Sequence, residues 1–151
     1  MTDHKKKPPP PVFLLISLIA MFLLDRFYPV LEFGSVRTTV VGALGLALGL
    51  IVTVSSAQLF KRAGTPLRPF EESTAVVTTG MFRVTRNPMY LGMVLGQVGV
   101  GVMLGSLTAL APIPVFVAII HTQFIVHEER FMEGLFGDEY VAYKKTVRRW
   151  I

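Results

Sequence analysis

Residues 83–92 read RVTRNPMYLG, and residues 126–131 read VHEERF. The first stretch offers the guanidiniums of Arg83 and Arg86, the amide of Asn87 and the phenol of Tyr90. The second offers His127, Glu128 and Glu129. An arginine fork suits a carboxylate, a carboxylate suits a cation, and an aromatic face suits either a cation or a flat ring. A zwitterionic ligand with a cationic centre and an aromatic part would engage both groups, provided that the chain brings them together. Between them, from Asn87 to Val126, run 40 residues without a single Asp, Glu, Lys or Arg.

That run shows what must position them. Of the 151 residues 52% are hydrophobic and 17% are charged, a balance that soluble domains rarely reach. Uncharged segments of 13, 23 and 40 residues span Val12–Leu24, Thr38–Phe60 and Asn87–Val126, and one helical crossing takes about 20 residues. The third segment is therefore two crossings, and the first runs past Asp25 and Arg26. The expected architecture is an all-α, multi-pass bundle of four transmembrane helices at 12–31, 37–60, 88–105 and 107–127. A helical hairpin through the last two returns the RVTRNPMY knot and the Glu128–Glu129 pair to one face of the membrane. Lys5, Lys6 and Lys7 before an apolar run could mark a signal peptide, but no small-residue cleavage site follows and Pro8–Pro11 reads as a stiff lead-in.

Charge orients the bundle. With a cytoplasmic N-terminus, segments 1–11, 61–86 and 127–151 hold 13 of the 15 basic residues, leaving only Arg26 and Arg37 outside. Both termini are then cytoplasmic, and the net charge of +5 is accounted for by topology and an anionic lipid surface rather than nucleic acid. With no cysteine, thiolate and disulfide chemistry are excluded. The three histidines are scattered without clustered carboxylates, so no metal site is expected, and His121 reads as a buried hydrogen-bonding residue.

The turn of the hairpin falls at Gly105–Leu107, which places Pro112 and Pro114 in the first turns of the next helix, where proline costs least. Gly45 with Gly49, Gly92 with Gly96, and Gly101 with Gly105 form Gly-x-x-x-Gly pairs suited to close helix packing in lipid. Residues 61–86 make a loop longer than a compact bundle needs, broken by Gly64, Pro66 and Pro69 and ending in a β-branched stretch that reads as extended. Beyond Glu129 the chain breaks near Gly137 and restarts at Asp138 as an amphipathic cytoplasmic helix. Phe136, Tyr140, Tyr143, Val147 and Ile151 lie on one side of it and Lys144, Lys145, Arg148 and Arg149 lie elsewhere. Asp25 and Arg26 mark the outer boundary. The chain divides into a two-helix scaffold, 1–60, and a region carrying the chemistry, 61–151.

TGMFRVTRNPMYLG (79–92), followed after a hairpin by EERFMEGLFGDEYVAYKKTVRR (128–149), resembles the C-terminal half of the integral membrane methyltransferases that include isoprenylcysteine carboxyl methyltransferases and phospholipid N-methyltransferases. The resemblance covers about residues 65–149 and has both halves in order. It implies S-adenosylmethionine as methyl donor, held at the cytoplasmic ends of the last helices and not in a Rossmann domain, whose Gly-rich fingerprint is absent here. It places cofactor contacts on Thr74, Ala75, Val76, Val77, Phe82, Asn87, Pro88, Met89, Tyr90 and Glu128, with Glu129 beside it. The residues themselves add candidate catalytic roles for Arg86, Glu128 and Glu129, with Arg86, inside the motif, placed to take the donor's carboxylate. Arg83 reads equally well as a positive-inside anchor. The implied acceptor is lipidic or prenylated and embedded among membrane lipids. Asn87 stands where the prenylcysteine enzymes usually have histidine, and Phe124 stands where they have a substrate-binding arginine, so phospholipid (ethanolamine headgroup) N-methylation is the alternative. A small transporter or a non-enzymatic four-helix protein would account for the hydropathy too, but the spans carry no buried carboxylate for a transporter to use.

Overall fold

The computed structural model describes residues 8–64 and 74–151. Lys5–Lys7 and the loop breaks at Pro66 and Pro69 lie outside the described residues. Pro10, in the first turn, opens α1 (Pro10–Phe27). A capping box then starts α2 (Val36–Arg62): the Ser35 side chain accepts from the Thr38 backbone N–H and the Thr38 side chain accepts from the Ser35 N–H. A 3-10 turn at Gly80–Arg83 leads into α3 (Pro88–Leu104), again opened by a proline. Gly105, at φ 87°, ends α3 in the left-handed conformation that only glycine adopts without strain.

The return helix is built in pieces. A short α4 (Leu107–Leu110) is capped by Ser106, and α5 (Pro112–Ile120) begins on the expected proline. A π-turn comes next, at His121–Ile125, then α6 (Val126–Phe136). The sequence leads one to expect a single unbroken helix here, and the π-turn is a departure from it. Thr122 Oγ1 donates to the carbonyl of Ala118 at 2.7 Å, competing for a group that the regular ladder would use. Gly137, at φ 54°, separates α6 from α7 (Asp138–Thr146). No strand forms among the described residues, so the β-branched 74–79 stretch is irregular.

By length and composition three helices can cross a membrane: Pro10–Phe27, Val36–Arg62 and the composite Leu107–Phe136. The apolar α3 has 17 residues, about 26 Å of helix, the short end of what spans a hydrocarbon core.

α2 and α3 share the largest interface, and it is made by glycine. A Cβ built at Gly49 would overlap the backbone of Gly96 and Gly92, and one at Gly99 would overlap Leu46 N and Gly42 O. The two backbones thus touch, as small residues allow in lipid. Gly45–Gly49 and Gly92–Gly96 serve this contact as expected, whereas Gly101 packs on Leu110 and Gly105 on Gly34. Across α1 and α3, Ser17 Oγ donates to Gln97 Oε1 at 2.5 Å, both residues buried. At the α3–α4 turn, Ser106 Oγ donates to Asp25 Oδ1 at 2.6 Å, Phe33 N to Gly105 O and Leu107 N to Val30 O. Asp25 thus ties the α1 end to the turn.

Candidate active site at the membrane mouth

The hairpin brings the two charged groups together. Tyr90, in the first turn of α3, donates its phenol proton to Glu128 Oε1 at 2.7 Å. One residue on, Glu129 is 4% exposed and meets Arg86: Nε and Nη2 donate to Oε1 at 3.2 and 3.0 Å. The carboxylates point to separate partners, a neutral phenol for Glu128 and a guanidinium for Glu129, as adjacent helical positions must face differently.

Arg86 does more than pair. Its Nη1 donates to the carbonyls of Lys144 and Val147 at 3.0 and 2.8 Å, so four of its five N–H groups are engaged. Its side chain is 9% exposed. The contacts bind three elements: the approach to α3, the first turn of α6 and the end of α7.

Beyond α7 the chain leaves its expected course. The helical period predicts a C-terminal helix continuing to Ile151, but Val147 is extended at φ −123° and ψ 132°, and residues 147–150 run back along the motif. Thr85 and Arg148 form a parallel bridge. Arg86 N donates to Arg148 O at 2.9 Å. The carbonyl of Arg149 accepts from Thr85 Oγ1 at 3.1 Å and from Asn87 Nδ2 at 2.9 Å. Leaving the helix at Val147 lays these carbonyls alongside the motif, whose polar groups satisfy them. From this anchor Arg149 reaches Glu129 a second time, Nε to Oε1 at 3.0 Å and Nη2 to Oε2 at 2.8 Å. Those bonds hold the Arg149 guanidinium still more firmly in its charged form. Trp150 packs against the buried cluster of Tyr90, Phe116, Ile120, Phe124 and Ile125, with its indole nitrogen 3.4 Å from His121 Nδ1.

Supporting residues fix the walls. Phe82 is 4% exposed, sits 5.2 Å from the Phe60 ring, and accepts from Tyr143 Oη at 2.6 Å through its carbonyl. Burial pushes the Tyr143 phenol up to about 12, with the charge of Arg86 pulling the other way. Burial likewise raises Tyr140. Pro88 is fully buried, and the Met89 carbonyl accepts from Thr53 at 3.3 Å. Asn87 is buried.

Of the residues singled out from sequence, Arg86, Asn87, Tyr90, Glu128 and Glu129 converge, and Phe82 joins them through Tyr143. Ala75, Val76 and Val77 are partly buried. Thr74 is exposed and donates to the carbonyl of Ala63 at the α2 end. His127 is half-buried beside Glu128, and Arg83 is exposed. His121, half-buried, is a hydrogen-bonding residue as expected. Sequence reasoning missed Thr85, Arg149 and Trp150 as parts of this assembly. The bonds run largely to backbone carbonyls, which every residue carries, so no spacing marks them. Phe124, 2% exposed, lies edge-on to Phe13 at 5.7 Å in an apolar wall. No group of His, Asp or Glu able to hold a metal ion occurs among the described residues.

The family model described as phospholipid methyltransferase matches residues 37–139. Protein-S-isoprenylcysteine O-methyltransferase A of Arabidopsis thaliana is 35% identical over 78 residues, 52% of this chain and 40% of that protein. Protein-S-isoprenylcysteine O-methyltransferase of Schizosaccharomyces pombe is 26% identical over 117 residues, 76% of this chain and 49% of that one. Among solved structures, the eukaryotic intramembrane Ras methyltransferase ICMT, isoprenylcysteine carboxyl methyltransferase, superposes with a TM-score of 0.70 at 21% identity, over 93% of this chain and 51% of that one. The likeness establishes the fold, and this chain spans about half or less of the length of these methyltransferases. With its helical fold among the described residues, its two motifs brought together by the hairpin and a family match over most of its length, the chain belongs to the phospholipid methyltransferase family.

Proposed function

We propose that the protein is an S-adenosylmethionine-dependent methyltransferase acting on a membrane-embedded, lipidic acceptor. The observation that carries this reading is the pairing of Tyr90 with Glu128 directly beside the Arg86–Glu129–Arg149 cluster. The donor set fits the cofactor's chemistry. Among the described residues Glu128 has no guanidinium partner and is available to a positive centre, the phenol and the buried aromatic wall suit a purine, and the arginine cluster suits a carboxylate. Thr74–Val77, Phe82, Asn87–Tyr90 and Glu128 would hold the group. When bound, it supplies an electrophilic methyl on a sulfonium.

The chain's own contribution is placement and exclusion of water. Methyl displacement needs little proton transfer if the acceptor is a carboxylate and needs deprotonation if it is an ammonium. Most of the gain is in lining up the acceptor behind the methyl, and a water-poor mouth favours a step in which charge disperses. Glu128, which no guanidinium holds among the described residues, is the carboxylate best set to receive a proton. Arg86 is better read as a positioning residue than as a ligand contact, since its N–H groups are spent on Glu129 and the tail. The same reading takes α3 as a fourth crossing, with α7 and both termini cytoplasmic, from the distribution of basic residues.

A lipidic acceptor is supported by an apolar cleft of about 340 Å³ between α1 and α5, lined by Phe13, Ile16, Ala20, Val115, Phe116 and Ile119. Phe13 links this cleft to the wall around Tyr90. An amine headgroup is the second reading. It is favoured by Phe124, whose apolar surroundings leave no counter-ion for a carboxylate acceptor at that position. Incubating the protein with methyl-labelled donor, total lipid extract and a farnesylcysteine analogue tests this. Label in the analogue supports carboxyl methylation and label in an amine headgroup supports N-methylation. Label confined to water-soluble products, or none at all with donor unbound, defeats the proposal.

A further inference from the structure

The two arginines on Glu129 are not equivalent. Arg86 is 9% exposed with four N–H groups engaged; Arg149 is 37% exposed. Glu129 divides its two oxygens between two guanidiniums, and Arg149 is the more open of the pair. Lys144, the neighbouring cation, is already paired with Glu133 at 2.7 Å.

The remaining donor of Arg149 points the same way. Its Nη1 lies 3.4 Å from His121 Nε2, while the Trp150 indole lies 3.4 Å from His121 Nδ1. An indole N–H only donates, and a neutral imidazole has one acceptor nitrogen. If Nδ1 accepts from Trp150, Nε2 carries the proton and faces Arg149 donor against donor. The ring therefore serves one of the two at most, both contacts lie near the long limit of a hydrogen bond at 3.4 Å, and in either tautomer Arg149, with Nε and Nη2 each giving one N–H to Glu129, keeps a terminal N–H beyond those engaged. Meanwhile the Arg149 carbonyl is fixed by Thr85 and Asn87, and Glu129 fixes the guanidinium plane. An oriented, partly open guanidinium with an unserved terminal N–H is what a ligand oxyanion requires.

We propose that Arg149 is the oxyanion receptor of this site, taking the amino-acid carboxylate of the methyl donor or the phosphate of a lipid acceptor. The inference rests on the methyltransferase reading and moves the anion-binding role from Arg86 to a tail residue outside the RNPMY knot. With Glu128 turned to a cation and Arg149 to an anion, the site complements a zwitterion.

The test is a titration of purified wild-type, Arg149→Gln and Arg149→Lys proteins with S-adenosylhomocysteine and with 5′-methylthioadenosine, which keeps the nucleoside and thioether but lacks the amino acid. A short-chain phosphatidylethanolamine and the matching diacylglycerol form the second arm. For the donor carboxylate, Arg149→Gln weakens S-adenosylhomocysteine by roughly tenfold or more and leaves methylthioadenosine within about twofold, and Arg149→Lys recovers part of the loss. For an acceptor phosphate, both nucleosides are unaffected and only phosphatidylethanolamine weakens relative to diacylglycerol. Should Arg149→Gln fail to fold, Arg149→Lys carries the same ratio, since loss of the fork alone lowers the selective member of each pair. Parallel weakening within both pairs, or no change in any ligand, overturns the role of Arg149 while wild-type binding upholds the methyltransferase reading. Wild-type protein that binds neither nucleoside overturns both.

Discussion

The α2–α3 interface and the Arg86–Glu129–Arg149 cluster solve the same problem, holding two helices together, by opposite means. The first uses close backbone approach at Gly42, Gly49, Gly92 and Gly99. The second uses directed bonds among three side chains and the carbonyls of Lys144 and Val147. Surrounded by lipid, close contact is gained by shape alone, because burying apolar surface there removes no water. At the mouth, charge is held away from water, and each ion needs its full set of partners to be tolerated. The glycine interface therefore depends on size, and the polar cluster depends on completeness.

Completeness makes the polar side the more fragile. Glu129→Leu removes the partner of two guanidiniums, one of them buried, and should cost about 3 to 5 kcal/mol, with loss of donor binding; a thermal shift in detergent measures it. If the melting temperature barely moves, the cluster is not what holds α6 to the motif. On the glycine side, Gly99→Val places a branched side chain against the backbone of α2 and should cost about 1 to 3 kcal/mol while leaving the ratio of S-adenosylhomocysteine to methylthioadenosine affinity unchanged. A change in that ratio would mean that the two regions are coupled.

Tyr143→Phe deletes one bond to the Phe82 carbonyl and should cost about 0.5 to 1.5 kcal/mol. It also isolates a titration. An unfolded phenol ionises near about 10 and burial raises Tyr143 to about 12, so its contribution is intact below the unfolded value and lost as pH rises through the folded one. Wild-type protein should lose stability in that window and Tyr143→Phe should lose less, as followed by tyrosinate absorbance and melting. The smallest effect belongs to Lys144→Met. Its pair with Glu133 is 30% and 44% exposed, and such pairs contribute about 0 to 1 kcal/mol. A larger loss would extend the completeness rule to the solvent-facing rim.

Legibility in the sequence divides along the same line. The apolar runs, the proline starts at Pro88 and Pro112 and the turn at Gly105 are local signals, and α2, α3 and the start of the return helix appear where those signals put them; the first helix, expected over 12–31, stops instead at Phe27, just past Asp25 and Arg26. The convergence of Arg86 and Tyr90 with Glu128 and Glu129 comes once a hairpin is drawn between them. The fold-back of residues 147–150 was not legible, because Phe136, Tyr140, Tyr143, Val147 and Ile151 keep a helical period past the point where the backbone leaves the helix at Val147. Tertiary bonds to Thr85 and Asn87 override that local preference. Nor could hydropathy reveal the π-turn: His121, Thr122 and Gln123 interrupt the apolar run from Val115 to Val126 without adding a charge, and its mean hydropathy is the same with either hydrogen-bond pattern.

The π-turn at His121–Ile125 has a consequence for how this chain tolerates change in length. A π-turn amounts to one residue inserted into a regular helix, and each residue in a helix advances its faces by about 100°. Upstream and downstream faces of the return helix are thus out of phase with each other by that single residue. Deleting any one residue between His121 and Ile125 would heal the hydrogen-bond ladder and preserve hydropathy, yet swing Glu128 and Glu129 away from Tyr90 and Arg86. A shorter chain with a more regular helix would keep its membrane span and lose its mouth.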